Sequence, residues 1–191
     1  LKISKNRVHN PFDGDLLNAS AFYGIYLTGV DAQSTTPTTV ENNLVYKNTG
    51  DGPHYGLYNT SSNNVNYYHN TIALDHSSNP TTNSSFAFYQ TTAADGINLR
   101  NNILSVTRAG SGDKYGEFWN TSTSVITSNF NDFHITGSNA AVGFNNGTDR
   151  ITLADWQTAT TQDANSVAIN PAFGGAATGN YKPLAPQLDN K

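Results

Sequence analysis

Seven acidic residues are the first candidates for chemistry in this sequence: Asp13, Asp15, Asp75, Asp95, Asp113, Glu117 and Asp132. Carboxylates that lie close together can bind Ca²⁺ or act as general acid and base. Only Asp13 and Asp15 share a loop, and the others fall at different positions of a repeat, so no two are expected to stack. We therefore predict no catalytic residue, no metal site and no cofactor, and we interpret these acids as loop or turn residues.

Histidine offers a second kind of chemistry, because its side chain titrates near neutral pH. His69 and Arg100 are expected near equivalent edges of neighbouring repeats, and His76 directly follows Asp75. One interpretation is a proton-transfer group beside a cation. Polar residues on turns are the more common case, and we predict that role here.

An aromatic block recurs four times, as Tyr23-Gly-Ile-Tyr26, Tyr55-Gly-Leu-Tyr58, Phe86-Ala-Phe-Tyr89 and Tyr115-Gly-Glu-Phe118. If the third residue of each block faces inward, the fourth forms an outward column of Tyr26, Tyr58, Tyr89 and Phe118. Gly24, Gly56, Ala87 and Gly116 would then form a shallow trough beside it. Rings above such a trough suit the apolar face of sugars, so the column is the candidate glycan-binding site. The alternative is an internal stack, which Glu117 favours, because an unpaired carboxylate is costly to bury.

These side chains must be positioned by a second repeat, which is centred on asparagine. Apolar residues surround Asn6, Asn43, Asn70, Asn102 and Asn129 at a constant spacing. Two sets of residues are expected to point inward. Those three positions before the asparagine are Ile3, Val40, Tyr67, Leu99 and Ile126. Those two positions after it are Val8, Val45, Ile72, Leu104 and Asn131. The asparagine itself should lie at a tight corner, where it tolerates left-handed backbone angles. Stacked amides would form a ladder of hydrogen bonds.

Short strand-like runs in units of about thirty residues, without helical periodicity, indicate that each unit is one coil of a solenoid. Residues 1–150 are predicted to form the coils of a single domain covering residues 1–191. Thr152 and Asp155 predict a capping box that opens a short helix to about Thr160. Trp156 should cover the last coil as a lid, and the rest of residues 151–191 should fold back along the outside.

Composition limits the function classes. The chain has 191 residues and a formal charge of -4, and Asn, Thr and Ser make up 65 of the residues. No basic stripe suits nucleic acid, and no apolar run reaches the length of about 20 residues that spans a bilayer. The absence of cysteine is typical of a protein exported without disulfides, and it excludes thiolate metal sites.

The pattern Val-x-x-x-x-Asn-x-Ile, with an upstream Gly-Ile or Gly-Leu, resembles the right-handed parallel β-helix superfamily that includes pectate lyases and many bacterial surface proteins. Residues 152–173 are similar to the closing segment of secreted β-helix proteins from Bacteroidetes-type bacteria. Leu184-Ala-Pro-Gln-Leu-Asp189 departs from their usual Leu-x-x-x-Ser-Pro-Ala-Ile-Asp ending. The resemblance implies an all-β, right-handed, single-stranded parallel β-helix with a short C-terminal capping helix, secreted or on a bacterial cell surface.

We expect a non-catalytic extracellular module, such as an adhesin, stalk or filament segment, that binds a polysaccharide or other glycan. The alternative is a fragment of a polysaccharide lyase or glycoside hydrolase. Ice binding is disfavoured, since threonines occur only singly in each coil. Leu1 to Asn6 enters directly in the repeat register, so preceding coils, another domain or a like subunit are expected to cover the N-terminal end.

Overall fold

In a computed structural model, which describes residues 1–77 and 80–188, the chain winds as a parallel β-solenoid. Sheet A contains β1 (Lys2–Ser4), β4 (Thr38–Glu41), β7 (Val65–Tyr68), β10 (Ile97–Arg100) and β13 (Ile126–Asn129). Sheet B contains β2 (Arg7–Val8), β5 (Leu44–Val45), β8 (Thr71–Leu74), β11 (Ile103–Val106) and β14 (Asp132–Ile135). Sheet C contains β3 (Phe22–Thr28), β6 (His54–Thr60), β9 (Ser85–Gln90), β12 (Lys114–Trp119) and β15 (Ala140–Asn145), with β16 (Thr148–Arg150) added antiparallel. The structure confirms an all-β parallel β-helix.

The core fills the space enclosed by the three sheets. The inward column of sheet A contains Val40, Tyr67 and Leu99, which are paired in register and buried. Val45, Ile72 and Leu104 form the matching column of sheet B, and Leu57 and Phe88 that of sheet C. Since each coil presents an apolar residue at the same place, the core continues from coil to coil.

Asparagines form a continuous ladder at the corner between sheets A and B. The side-chain oxygen of Asn70 accepts from the backbone N–H of Asn43 at 3.1 Å and from its side-chain amide at 3.0 Å. Asn102 accepts the same pair of bonds from Asn70. The amide of Asn70 also donates to the Val40 carbonyl at 2.9 Å. The ladder predicted from the sequence is confirmed for its first four members.

The fifth member of the ladder is Asn131, and the prediction of Asn129 is wrong. Asn131 accepts from the backbone and side chain of Asn102 at 2.9 and 3.1 Å, while Leu99 pairs with Ser128. The register is two residues later than predicted because it places Phe133, instead of Asn131, in the apolar column beside Leu104. Ile126 remains buried and pairs with Ile97, one inward position earlier than predicted.

The left-handed residue at this corner precedes the ladder asparagine, contrary to the prediction. Backbone φ lies between 54° and 60° at Lys5, Asn42, His69, Asn101 and Phe130. The backbone N–H of Lys5, Asn42 and His69 donates to a carbonyl of the next coil, which offsets the strain of the turn. The ladder residue is therefore selected for its side-chain amide and not for its backbone freedom.

The helix α1 (Leu153–Thr160) closes the C-terminal end. Thr152 and Asp155 form the predicted capping box, with the Asp155 backbone N–H donating to the Thr152 hydroxyl at 3.1 Å. Trp156 is fully buried in the core and packs edge-on against Trp119. The helix thus covers the last coil with an indole, as expected for a lid.

The segment after α1 returns along the outer face of sheet B. Val167 pairs with Asp132 on the last coil, and the Tyr181 hydroxyl donates to Asp75 at 2.6 Å. The Arg7 guanidinium on the first coil donates to the Gly179 carbonyl at 2.8 Å. Asp189, part of the ending compared with secreted β-helix proteins, lies outside the described residues. No helix within the described part of the chain is long and apolar enough to cross a membrane.

Candidate functional site

The outer face of sheet C carries two aromatic columns. The Tyr26 column consists of Tyr26, Tyr58, Tyr89, Phe118 and Phe144, and the Tyr23 column consists of Tyr23, Tyr55, Phe86 and Tyr115. The rings from Tyr55 onward form a cluster of their own, separate from the core inside the coils. The four predicted residues therefore lie in one outward column, and the Tyr23 column is a neighbour that the sequence interpretation missed.

A small residue in each of β3, β6, β9 and β12, glycine in three of them and Ala87 in β9, explains why two residues three apart share one face. Gly56 lies between them, and a Cβ built on it would lie 2.2 Å from Ile72 in the core and 2.7 Å from the Ala87 carbonyl. A Cβ built on Gly24 would likewise lie too close to Val45 and to the Gly56 carbonyl. These glycines face the interior, so the predicted outer trough of Gly24, Gly56, Ala87 and Gly116 is wrong. At these positions the backbone lies so close to core side chains and to the neighbouring strand that side chains do not alternate strictly between the two faces.

Most rings of each column stack on one another along the solenoid, whereas Tyr26 meets Tyr58 edge to face, with planes 85° apart. In the Tyr26 column, the centroids of Tyr58 and Tyr89 lie 5.2 Å apart, those of Tyr89 and Phe118 4.9 Å, and those of Phe118 and Phe144 4.2 Å, with planes within 6° of parallel. Parallel rings at such separations overlap as offset stacks. The columns also meet edge to face, with Tyr55 and Tyr58 centroids 5.0 Å apart.

Exposure decreases along the columns from the first coil. Tyr23 is 41% exposed and Tyr26 50%, whereas Phe86 and Tyr115 are buried. Burial and the neighbouring tyrosines raise the pKa of Tyr55 to about 12. The Tyr115 hydroxyl donates to Asp149 of β16 at 3.0 Å. Inner rings turn their faces to each other, so Tyr23 and Tyr26 present the ring surfaces most accessible to a ligand.

Glu117 faces the interior, as the outward position of Phe118 requires. Its carboxyl accepts from the Ser128 hydroxyl at 2.6 Å and the Trp119 indole at 3.0 Å. Burial, with Asp163 close by, raises the pKa of Glu117 well above its usual value. The Ser128 hydroxyl also lies 3.0 Å from Asp163. The Ser128 hydroxyl thus lies between the buried carboxyl groups of Glu117 and Asp163.

Asp132 is a further acid held away from solvent. One carboxyl oxygen accepts the Ile169 N–H at 3.1 Å, and the other has no hydrogen-bond partner among the described residues. The side chain is 3% exposed, and burial raises the pKa of Asp132 to about 7. Asp132 therefore contacts the returning tail and not an open surface.

Asp75 and His76 lie in a groove of about 500 Å³ between the corner of sheets B and C and the tail. Lys47 and Tyr181 also line this groove. Burial raises the pKa of Asp75 and lowers that of His76. The structure thus brings together one acid, one imidazole and one cation. The sequence interpretation had treated Asp75 and His76 as turn residues and had not singled out Lys47.

The predicted pair of His69 and Arg100 is also adjacent, through its backbone. The N–H of His69 donates to the Arg100 carbonyl at 3.1 Å, while the Arg100 guanidinium lies 4.4 Å from the centre of the Phe130 ring. This cation–π contact places the positive charge of Arg100 over the Phe130 ring and not beside the His69 side chain. Within residues 1–77 and 80–188, no three His, Asp or Glu side chains converge as a metal site would require.

Comparison with known proteins identifies no relative: no family model matches the chain, and neither curated proteins nor solved structures give a significant match.

Proposed function

We propose that the protein is a non-catalytic structural module of an extracellular or cell-surface protein, serving as a stalk, adhesin or filament segment. The observation that supports it most directly is the alignment of like residues along the whole solenoid. The Asn6–Asn131 ladder runs without interruption from the first coil to the last, and rings on the outer face of sheet C contact one another in every successive coil. Such a rod gains stability from every nearest-neighbour contact and keeps its length and shape.

The placement of the acids supports the same proposal. A glycoside hydrolase of the common type needs two carboxyl groups facing a sugar. Glu117 and Asp163, which both lie within hydrogen-bond distance of the Ser128 hydroxyl, are fully buried beneath α1. Their hydrogen bonds are completed by the protein itself, which is the pattern of a structural network.

Glycan binding is the second part of the proposal, and the exposure of the first coil favours it. The Tyr26 ring is half exposed, and Tyr23 stacks beside it with centroids 5.3 Å apart. An aromatic face of this size can cover the apolar side of a pyranose. Tyr58, Tyr89 and Phe118 would contribute ring edges, and the two tyrosines also hydroxyl groups, since their ring faces are turned to their neighbours.

A glycan array with the Tyr26→Ala variant tests this part. We expect wild-type binding to a polysaccharide that Tyr26→Ala loses and that Thr28→Ala, on the same strand, retains. An array without signal, or binding that is unchanged in Tyr26→Ala, would remove the glycan from the proposal.

The alternative function, a fragment of a lyase or hydrolase, rests on the groove that contains Lys47, Asp75 and His76. Incubation with acidic and neutral polysaccharides, followed by ultraviolet absorbance and reducing-end assays, separates the two. The structural proposal predicts no turnover. Turnover that is lost in Asp75→Asn and His76→Gln, but kept in the surface variant Asp13→Asn, would establish the enzyme instead.

Location and assembly complete the proposal. A cysteine-free chain rich in Asn, Thr and Ser is suited to an oxidising exterior, which supports secretion to a bacterial cell surface. The first-coil strands β1, β2 and β3 pair on one side only among the described residues. Further coils, another domain or a like subunit would complete this end.

A further inference from the structure

The three strands of the first coil differ in how well they are protected against pairing. Lys2 lies in β1, Lys5 follows it, and Arg7 begins β2. Lysine and arginine on an edge strand discourage its association with other chains. The edge strand β3 has seven residues and carries no charge and no proline. It is therefore the unprotected edge of this end.

Along β3 from Phe22 to Leu27, the order of inward- and outward-facing residues is the same in both chain directions. Read from Phe22, the pattern is buried Phe22, exposed Tyr23, half-buried Gly24, buried Ile25, exposed Tyr26 and buried Leu27. In an antiparallel pair, residues directly opposite one another lie on the same face of the sheet. A two-fold axis between Gly24 and Ile25 places Phe22 opposite Leu27, Tyr23 opposite Tyr26 and Gly24 opposite Ile25. Each of these pairs joins residues of the same face.

This match is a consequence of the glycine that disrupts alternation. In a regular strand, residues three apart face opposite sides, so Tyr23 and Tyr26 could not oppose each other on one face. The close approach at Gly24 brings both to the outside. Their rings are also the ones at the open end of the two columns, where a further ring would extend each column.

We propose that two copies of this chain associate through their β3 strands, antiparallel about a two-fold axis between Gly24 and Ile25. The two C sheets become one continuous sheet, and the aromatic columns continue across the joint, Tyr23 of one copy stacking on Tyr26 of the other. Such an isologous contact is closed, so it gives a dimer and not a fibre. At the far end of sheet C the core strands are instead followed by β16, which has three residues and pairs antiparallel with β15, and by α1 packed against both.

The charges of the first coil oppose this dimer. In the dimer, Lys2, Lys5 and Arg7 of each copy face the first coil of the second copy, which carries the same charges. Among the described residues, only Lys2 of these three forms an ion pair, with Glu41. Repulsion between exposed like charges is screened by salt. Dimerisation should consequently strengthen as the salt concentration rises, in contrast to an association held by ion pairs.

The inference rests on the proposed structural role only in giving this end a partner. The dimer covers the rings of Tyr23 and Tyr26, so a glycan bound to them would compete with dimerisation, whereas a failure of the glycan or activity assays would not affect the inference. The first test is analytical ultracentrifugation of the 191-residue chain over a range of protein and salt concentrations. We expect a monomer–dimer equilibrium that shifts to dimer at high salt. Tyr26→Lys should weaken dimerisation about tenfold or more, because the two-fold axis places two new charges in the interface.

Thr127→Lys is the matched control, since it adds the same charge to an exposed strand position in the last coil. It should leave the equilibrium unchanged. A monomer at every salt and protein concentration, or a dimer that is indifferent to Tyr26→Lys, would overturn the proposal.

The register has its own test, made possible because the chain contains no cysteine. Tyr23→Cys and Tyr26→Cys chains are oxidised alone and as a mixture. The opposed positions of an antiparallel pair are about 4.5–5.5 Å apart, within the range that a disulfide bridges. We expect a cross-linked dimer in the mixture and little in either chain alone. Equal cross-linking in all three samples would contradict this register.

Discussion

Each inner ladder asparagine, Asn43, Asn70 or Asn102, connects three successive coils through one side chain. Asn70 accepts two bonds from Asn43, donates one to Asn102 and donates another to the Val40 carbonyl. All of these groups are buried, and none can turn to water when a partner is lost. The ladder therefore fixes the register of the coils as well as their stability.

Replacing Asn70 with alanine tests the ladder. We expect the free energy of unfolding to fall by about 2–5 kcal/mol, because buried donors on Asn43 and acceptors on Val40 and Asn102 lose their partners together. Urea denaturation followed by circular dichroism gives the value. Asn98→Ala is the control, since Asn98 bonds to Asn66 on the outer face, and it should change stability by less than about 0.5 kcal/mol. Equal losses in the two variants would show that the buried amides contribute nothing special.

Asp132 makes stability depend on pH. Its pKa rises from 3.8 in the unfolded chain to about 7 in the folded protein, so the folded state retains a proton that the unfolded state releases. The stabilisation is complete below pH 3.8 and is lost as the pH rises to about 7, a change of about 4 kcal/mol. Glu117 acts in the same direction.

The Asp132→Asn variant should flatten this dependence, since an amide does not ionise. Urea midpoints at pH 4.5 and pH 8 should differ more in the wild type than in the variant, with part of the difference remaining from Glu117. Parallel loss of stability in both proteins between these pH values would contradict the assignment of the shift to Asp132.

At the residue level, the sequence predicted which side chains recur but not every role. Asn129 and Asn131 both fit the repeat locally, and the choice depends on which register places Phe133 in the core, a tertiary effect. The left-handed corner was likewise invisible, because the residues that adopt it, such as Lys5 and Phe130, share no chemical type.

Strands of sheet C owe their two outward aromatic residues to a single small residue. Gly56→Ala should lower the free energy of unfolding by about 1–3 kcal/mol or more, because the new methyl group would overlap Ile72 and the Ala87 carbonyl. Thermal and urea unfolding measure the loss. The control is Ala87→Gly, at the equivalent position of the next strand, which should cost about 1 kcal/mol or less. A neutral Gly56→Ala would show that the strand can relax.

Period-two alternation is the reason that the sequence predicted one aromatic column and missed the other. Tyr23 and Tyr55 were visible in the repeated block, but alternation assigns them to the face opposite Tyr26 and Tyr58. The repeated Gly between them was the available signal, since glycine inside a strand often marks a close backbone approach.

The capping helix depends on Trp156 for both packing and hydrogen bonding. Trp156→Ala should destabilise the protein by about 3–5 kcal/mol, the cost of removing a fully buried aromatic side chain. Trp156→Phe should retain part of the packing but leave an Asp163 oxygen without its indole donor at 2.9 Å. Chemical denaturation should place Phe between the wild type and Ala. A harmless Trp156→Ala would mean that the lid is not part of the folded core.

On the scale of the whole molecule, the repeat made the architecture predictable. A period of about thirty residues, aliphatic columns and a capping box were sufficient for the solenoid, its C-terminal lid and a tail on the outside. Function was not predictable to the same degree, since a solenoid hosts unrelated activities and its sites lie on surfaces that the core pattern does not constrain. Tyr26 and its column neighbours were named from the pattern, and their ligand stays a prediction.

A solenoid is held by contacts between neighbouring coils, so its stability should vary along its length. The backbone N–H groups of Asn70 and Asn102 donate to the next ladder amide at 3.0 and 2.9 Å and have coils on both sides, whereas Asn6 lies in the first coil, which is covered on one side. Amide hydrogen exchange by NMR should thus be slowest at Asn70 and Asn102 and faster at Asn6. The measurement belongs on the Tyr26→Lys chain at low salt, so that pairing of two copies does not protect the first coil. Uniform protection from Asn6 to Asn102 would mean that the coils open only together and that the first coil is not the weak end of the rod.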